Sequence, residues 1–292
     1  MSAFILSIIV IASGCNRDPV VPAGIFVGTP TATFTATEVP NPTAAPSSTP
    51  VTWPGQTTST CSQFQNVNVS PYTVETNYWD SSVCPSTQCV NINNVTGAFS
   101  ILQGPTCPSS SKVGSYPNIF FGNELNTISP NSSILPKQVS TLTSVTSSWN
   151  FTPGGTPSDQ WDIAYDVWFC PNNTCPGAWP CNGTEMMIWV DYLGLSGYQS
   201  PVGGPISVGG EQWQLWNQTG GGGTNTWTEL SYLNLNPSAA PLNNLNILTF
   251  IQDAVSKGLI QPSWYLYSIP AGIEIRKGGV PFTSNSFSVS IQ

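Results

Sequence analysis

Three acids sit inside apolar runs of this 292-residue chain, and they are the residues best placed to do chemistry. Glu185 lies in Thr184-Glu185-Met186-Met187-Ile188-Trp189-Val190, Asp166 in Ile163-Ala164-Tyr165-Asp166-Val167-Trp168-Phe169, and Glu274 in Gly272-Ile273-Glu274-Ile275-Arg276. Side chains alternate faces along a strand, so Glu185, Met187 and Trp189 share one face while Met186, Ile188 and Val190 take the other. A face that buries a carboxylate beside a thioether and an indole is costly unless it lines a ligand cleft. Any one of these acids alone fits a structural role, bonded to a backbone amide or a tyrosine. Three acids in three apolar strands exceed chance burial.

Two buried carboxyls among aromatics suit glycoside hydrolysis. One stays protonated to serve the leaving oxygen and the other stays ionised for attack. Sugar rings stack on indoles, and the chain has 11 tryptophans; most are expected in the core, with Trp79 and Trp189 the two singled out for a cleft. There is no histidine, which removes Ser-His and Cys-His nucleophile pairs and most zinc and haem sites. Acid and base work therefore falls to carboxylates. Six Lys plus Arg against 14 Asp plus Glu give a net charge of −8 and no basic patch, so nucleic acid is excluded as a partner. With only 7% charged residues, few surface carboxylates remain to protonate, and tolerance of acid is expected.

The elements that must position these acids read as short strands. Runs such as Val67–Val74, Cys89–Ile92, Ala98–Leu102, Gln138–Val145, Trp161–Phe169, Thr184–Tyr192, Glu211–Trp216, Trp227–Leu235, Trp264–Ile275 and Ser286–Ile291 alternate and are broken by Gly, Pro and Asn. This pattern predicts an all-β sandwich or jelly roll. One helix is expected after Asn246, with Leu248, Ile251 and Val255 on its buried face and Gly258 at its end.

Ahead of this domain, residues 1–15 hold an apolar run, Ala3 to Gly14, too short for a bilayer and suited to a signal segment. It ends in Ala12-Ser13-Gly14-Cys15, which resembles a lipoprotein cleavage site, with Cys15 as the lipidated residue and the N-terminus as a membrane tether. An ordinary secretory signal is the alternative. Residues 16–60, rich in Pro, Thr, Ser and Ala, read as an extended linker, leaving 61–292 as the domain. Eight cysteines suggest the disulfides of an exported protein. Setting Cys15 aside leaves Cys61, Cys84, Cys89, Cys107, Cys170, Cys175 and Cys181, an odd set, so one thiol is free or Cys15 is paired. Cys170, Cys175 and Cys181 fit no familiar zinc spacing and read as a loop staple.

From about Cys61 to the end, the chain resembles glycoside hydrolase family 12, the small β-jelly-roll endoglucanases. The matching pieces are Tyr72-Thr73-Val74 with Asn77-Tyr78-Trp79, Gln88-Cys89-Val90, Thr96-Gly97-Ala98-Phe99, Ser115-Tyr116-Pro117-Asn118-Ile119, Ala164-Tyr165-Asp166-Val167-Trp168 and Thr184-Glu185-Met186-Met187-Ile188-Trp189. Ser200-Pro201-Val202-Gly203, Trp213-Gln214-Leu215-Trp216, Trp264-Tyr265-Leu266, Gly272-Ile273-Glu274 and Asn285-Ser286-Phe287-Ser288 continue them in order.

The resemblance implies Glu185 as nucleophile, Glu274 as acid/base and Asp166 as the aspartate that supports the nucleophile. It further implies Asn77 and Trp79 as sugar contacts, Met187 and Trp189 as the cleft floor, and a Cys61–Cys89 disulfide. The implied activity is retaining endo-cleavage of β-1,4-glucan without metal or cofactor, and a monomer is expected. A xyloglucan preference, or a non-catalytic carbohydrate-binding surface module, are the alternatives. Retention requires carboxyls about 5 to 5.5 Å apart, so the two glutamates must share a face.

Three features depart from the family. Arg276 replaces an aromatic two residues after Glu274 and is expected either to lower the pKa of Glu274 and shift the activity optimum toward acid, or to lean into solvent or stack on a rim aromatic. Phe169–Gly183 carries three cysteines, and Gly220–Gly223 reads as a hairpin tip.

Overall fold

The computed structural model describes Trp53 and residues 55–84, 86–108, 112–124, 127–174, 181–195, 201–220, 227–237 and 240–292. Cys15, the signal-like segment and most of the linker lie outside the described residues, as do Cys175 and the glycines at 221–223.

The first strands are β1 (Thr57–Thr60), β2 (Asn66–Val69), β3 (Tyr72–Glu75), β4 (Cys89–Asn93), β5 (Phe99–Gln103) and β6 (Asn118–Glu124). Then come β7 (Thr127–Ile128), β8 (Lys137–Gln138), β9 (Val145–Thr152), β10 (Gln160–Cys170), β11 (Thr184–Leu193) and β12 (Ile206–Val208). The chain finishes with β13 (Glu211–Gly220), β14 (Trp227–Asn234), β15 (Leu242–Asn246), helix α1 (Ile247–Ser256), β16 (Tyr265–Lys277) and β17 (Thr283–Ile291).

Two sheets result, giving the all-β jelly-roll sandwich that the alternation predicts. The smaller has the order β1-β4-β5-β17-β9-β15, and the larger β12-β13-β14-β11-β10-β16-β6-β3-β2, with β7 added to β6 and β8 to β16. Pairing is antiparallel except between β11 and β14, which run parallel.

Period-two alternation builds the core. Ile163, Tyr165, Val167 and Phe169 of β10, Met186, Ile188 and Val190 of β11, and Ile273 and Ile275 of β16 all enter one apolar cluster with Trp149 and Phe151 of β9. Each such side chain contributes about 1.5–3 kcal/mol through removal from water. Polar tips inside the core are matched: Tyr165 Oη donates to Ser147 Oγ at 3.1 Å, and Trp149 Nε1 donates to Ser284 Oγ at 3.0 Å. Because the core consumes one parity of β10, β11 and β16, the other parity faces outward together.

Several sequence expectations need adjustment. Thr57–Thr60, assigned to the linker, pairs with Val90–Asn93 as β1; alternate β-branched threonines suit a sheet edge, and Cys61–Cys89 fastens its end. The run Val67–Val74 is two strands, since Pro71 lacks the N–H a continuous ladder needs. Gln138–Val145 is interrupted by a 3-10 turn at Val139–Thr141. Helix α1 forms where expected, and Gly258 follows it with φ of 73°. Its buried face, however, is Ile247, Phe250, Ile251 and Ala254, while Leu248 and Val255 are half-buried. Asn246 makes no side-chain cap hydrogen bond.

Disulfides join Cys61 to Cys89 and Cys84 to Cys107, and Cys181 is also disulfide-bonded. Cys170 is a free buried thiol, which corrects the expectation that it helps staple the loop. It closes β10 among Trp168 and Tyr267, where it serves as a small apolar side chain. The Gly220 end of β13 pairs with Trp227 at the start of β14, consistent with a hairpin there.

Candidate active site

The outward parity of β10 is Asp162, Ala164, Asp166 and Trp168, and strand register places the other candidates around it. Glu185 stands opposite Trp168, Met187 opposite Asp166, and Trp189 opposite Ala164. On the other flank Glu274 stands opposite Asp162, and Gly272 opposite Ala164. Pairing is regular from Asp162 to Trp168 on that flank, so Glu185, Asp166 and Glu274 all lie on one face of one sheet. The arrangement in which the two glutamates oppose each other through the sheet does not occur.

The centre of this acid-bearing face is low for a physical reason. The row between the acids runs Glu75, Asn118, Gly272, Ala164, Trp189, Leu233, and its middle is occupied by the two smallest side chains. A Cβ on Gly272 would come within 2.4 Å of the Pro117 carbonyl oxygen, so this position cannot carry a side chain. Glu185 and Glu274 flank this shallow centre from the two strands that neighbour β10, near enough for the Glu185 charge to act on the Glu274 carboxyl.

Glu185 is half-buried, and its Oε2 accepts a 2.7 Å hydrogen bond from Trp227 Nε1. Burial and the neighbouring Glu229 charge raise its pKa, and the Trp227 indole opposes that rise by favouring the carboxylate. Glu274 is 9% exposed, and burial followed by the Asp162 charge pushes its carboxyl well above the usual range. Arg276 acts against this, with Nη2 3.2 Å from Glu274 Oε2, but does not overcome desolvation. The alternative in which Arg276 leans into solvent is excluded, for it is 7% exposed, and the aromatic its guanidinium lies over, 5.7 Å from the ring centre, is the buried Trp189 and not a rim residue. Asp166 is raised by burial and then by the Glu185 and Glu274 charges, and its buried Oδ1 has no protein hydrogen-bond partner.

Met187 and Trp189 form a floor rather than an open platform. Both are 2% exposed, and Trp189 Nε1 lies 3.4 Å from Met187 Sδ. Trp79 is 43% exposed and offers a ring to stack on. Asn77 is buried with φ of 36°, and its carbonyl accepts from Tyr116 N–H at 2.9 Å, which ties the segment after β3 to the one before β6. Tyr116 Oη in turn donates to the Ala164 carbonyl at 2.9 Å, so Asn77 and the middle of β10 share one support.

Sequence reasoning missed Trp227, Asp162, Glu229, Glu75 and Glu124. Asp162 was available from period two, being four residues before Asp166. Trp227 and Glu229 alternate in the same way after the glycine run. Glu75 and Glu124 were hidden by their neighbours: Glu124 accepts from Ser268 Oγ at 2.7 Å across two strands that sequence does not pair. No group of acids, cysteines or histidines among the described residues is arranged to hold a metal ion.

Comparison with known proteins places the chain in a family. The family model for glycosyl hydrolase family 12 matches residues 70–292. A probable cellulase, Cel12b, of Mycobacterium tuberculosis is 29% identical over 162 residues, covering 54% of this chain and 97% of the relative. A probable xyloglucan-specific endo-β-1,4-glucanase A of Aspergillus terreus is 26% identical over 239 residues, covering 79% and 86%. Among solved structures, endoglucanase cel12A from Rhodothermus marinus superposes with a TM-score of 0.70 at 30% identity, covering 80% of this chain and 99% of that one. With three acids on one outer face of a jelly roll and a family match over most of its length, the chain belongs to glycosyl hydrolase family 12.

Proposed function

We propose that this glycoside hydrolase is a retaining endo-β-1,4-glucanase, with Glu185 as nucleophile, Glu274 as acid/base and Asp166 as support for Glu185. The observation that carries the reading is the unequal setting of the two glutamates on one face. Burial raises both carboxyls, but Glu185 is the more exposed and the Trp227 indole N–H holds it back toward its anion, at about 8, whereas Glu274 is more deeply buried and is pushed well above the usual range. That is the division of labour the chemistry needs.

In the first half, the Glu274 proton goes to the glycosidic oxygen as the anomeric carbon–oxygen bond breaks. A Glu185 oxygen then bonds to the anomeric carbon, and the aglycone leaves as an alcohol. In the second half, water attacks that carbon and gives its proton to Glu274, and the ester bond to Glu185 breaks. Asn77 and Trp79 hold sugars on the β3 side, while Met187 and Trp189 shape the floor. The disulfides favour an oxidising location outside the cell, with Cys15 as a lipid anchor site.

The test is polymer hydrolysis with the anomer followed by proton NMR. Wild type is expected to lower the viscosity of a β-1,4-glucan and release β-anomer first, and Glu185→Gln to lose both activities. Release of α-anomer first, or undiminished activity in Glu185→Gln, would overturn the assignment.

A further inference from the structure

Two acids and a guanidinium form a buried cluster that a two-carboxyl mechanism does not by itself require. Arg276 divides its fork: Nη1 is 2.5 Å from Asp162 Oδ1 and Nη2 is 3.2 Å from Glu274 Oε2. Asp162 is fully buried and lies directly opposite Glu274 in the β10–β16 register. The guanidinium carbon sits 5.7 Å from the centre of the Trp189 ring, so charge pairs and a cation–π contact hold one planar group. Burying such a triad rarely stabilises a fold more than apolar residues of equal volume would. A purely structural role is therefore the weaker account.

We propose that Asp162 and Arg276 are a positioning pair that holds a cation against Glu274 so that it can act as the base in the second half of the reaction. This rests on the assignment of Glu274 made above. In that half a water oxygen bonds to the anomeric carbon, the bond from that carbon to Glu185 breaks with its electrons returning to the carboxylate, and the water proton goes to Glu274. Glu274 must be ionised at that moment, and most of its surroundings resist ionisation. Asp162 and Asp166 face it from β10, Glu185 from β11 and Glu229 from β14, and the phenol of Tyr116 completes the buried group. Arg276 is the cation acting in the opposite sense, and it reaches Glu274 in a fixed orientation because Asp162 takes its other arm. Glu185 is neutral while esterified, so the base form becomes easier to reach just when it is needed.

The experiment uses an aryl β-cellobioside with a dinitrophenolate leaving group, which needs no proton to depart, so the second half limits kcat. The acid limb of kcat then reports ionisation of Glu274 in the intermediate. Arg276→Gln and the volume-preserving Arg276→Met are both made, so that one folded variant suffices. Either is expected to move that limb upward by about 1 pH unit or more, which is about a tenfold loss of kcat on the limb. In an Asp162→Asn background the same substitution is expected to move the limb by about half as much or less, because the arm that holds the guanidinium is already weakened. Arg276→Lys, which keeps charge but loses the fork, is expected to fall between wild type and Arg276→Gln. An unmoved limb in the folded Arg276 variants overturns the proposal, and an equal shift in both backgrounds overturns the part given to Asp162. Glu274→Gln on polymer substrate distinguishes the two levels: wild-type activity there would remove the assignment of Glu274 itself, whatever Arg276 does.

Discussion

Glu75→Gln tests whether buried acids of the catalytic sheet make the fold more stable in acid than at neutral pH. Glu75 ends β3 at 2% exposure, and its Oε2 has no protein hydrogen-bond partner. Burial pushes its carboxyl up from 4.5 to about 7. The sign follows from which state holds the proton. Below about 4.5 both folded and unfolded chains are protonated and the site costs nothing. Between 4.5 and 7 the unfolded chain releases a proton that the folded one keeps, so stability falls as pH rises, and above 7 the full cost is present. At about 1.4 kcal/mol per pH unit, the accumulated cost is about 3 kcal/mol. Urea denaturation of wild type and Glu75→Gln from pH 4 to pH 8.5 measures it directly. The difference in unfolding free energy between the two proteins should grow by about 3 kcal/mol in favour of the variant across that range, which is about 6 to 12 °C in Tm for a domain of this size. Constant effects of the amide cancel in that comparison. Curves that stay parallel would refute the burial argument. The same reasoning gives the expected acid tolerance a second cause: Glu124 is also raised well above the usual range, and Asp191 to about 6.

Trp227→Phe removes the hydrogen bond to Glu185 Oε2, so the acid limb of kcat/KM should move upward and kcat/KM at low pH should fall about tenfold or more, as a pH–rate profile would reveal. The Cys84–Cys107 disulfide spans a sequence separation of 23, and replacing both cysteines by serine should cost about 3 kcal/mol in denaturant unfolding without altering the shape of the pH–rate profile. Phe250→Ala empties a fully buried site that contacts Trp213 and Tyr232 where α1 packs, and should cost about 3–5 kcal/mol by the same assay.

Much of the fold was legible because period two is a strong signal wherever one face is core. β10 and β11 read cleanly, and the acids sit on the even parity of β10 and the odd parity of β11. β6 did not read, since Asn118, Gly122 and Glu124 interrupt its apolar residues; the partners of Asn118 and Glu124 lie across the sheet, in Gly272 and Ser268, which no local window contains. The helix was located by its position before Gly258, yet its face was misjudged because Phe250 and Ile247, not Leu248, meet the larger sheet's inner residues. At the site, Glu185, Asp166 and Glu274 stood out as acids in apolar strands. Trp227 did not, because an indole in a chain with 11 of them carries no local mark until strand pairing puts its N–H on a carboxylate. Arg276 was visible as a charge two residues from Glu274, but the direction of the final pKa was not: burial, a long-range quantity, outweighs the guanidinium.

The central claim is that Glu185 becomes covalently bonded to the sugar. Incubation with an activated 2-deoxy-2-fluoro-β-cellobioside, followed by mass spectrometry of the intact protein and its peptides, measures this directly. The account predicts one fluorocellobiosyl adduct per chain, on the peptide containing Glu185 and absent from Glu185→Gln. An adduct on Glu274, or none in an enzyme that turns over the ordinary glycoside, would contradict it.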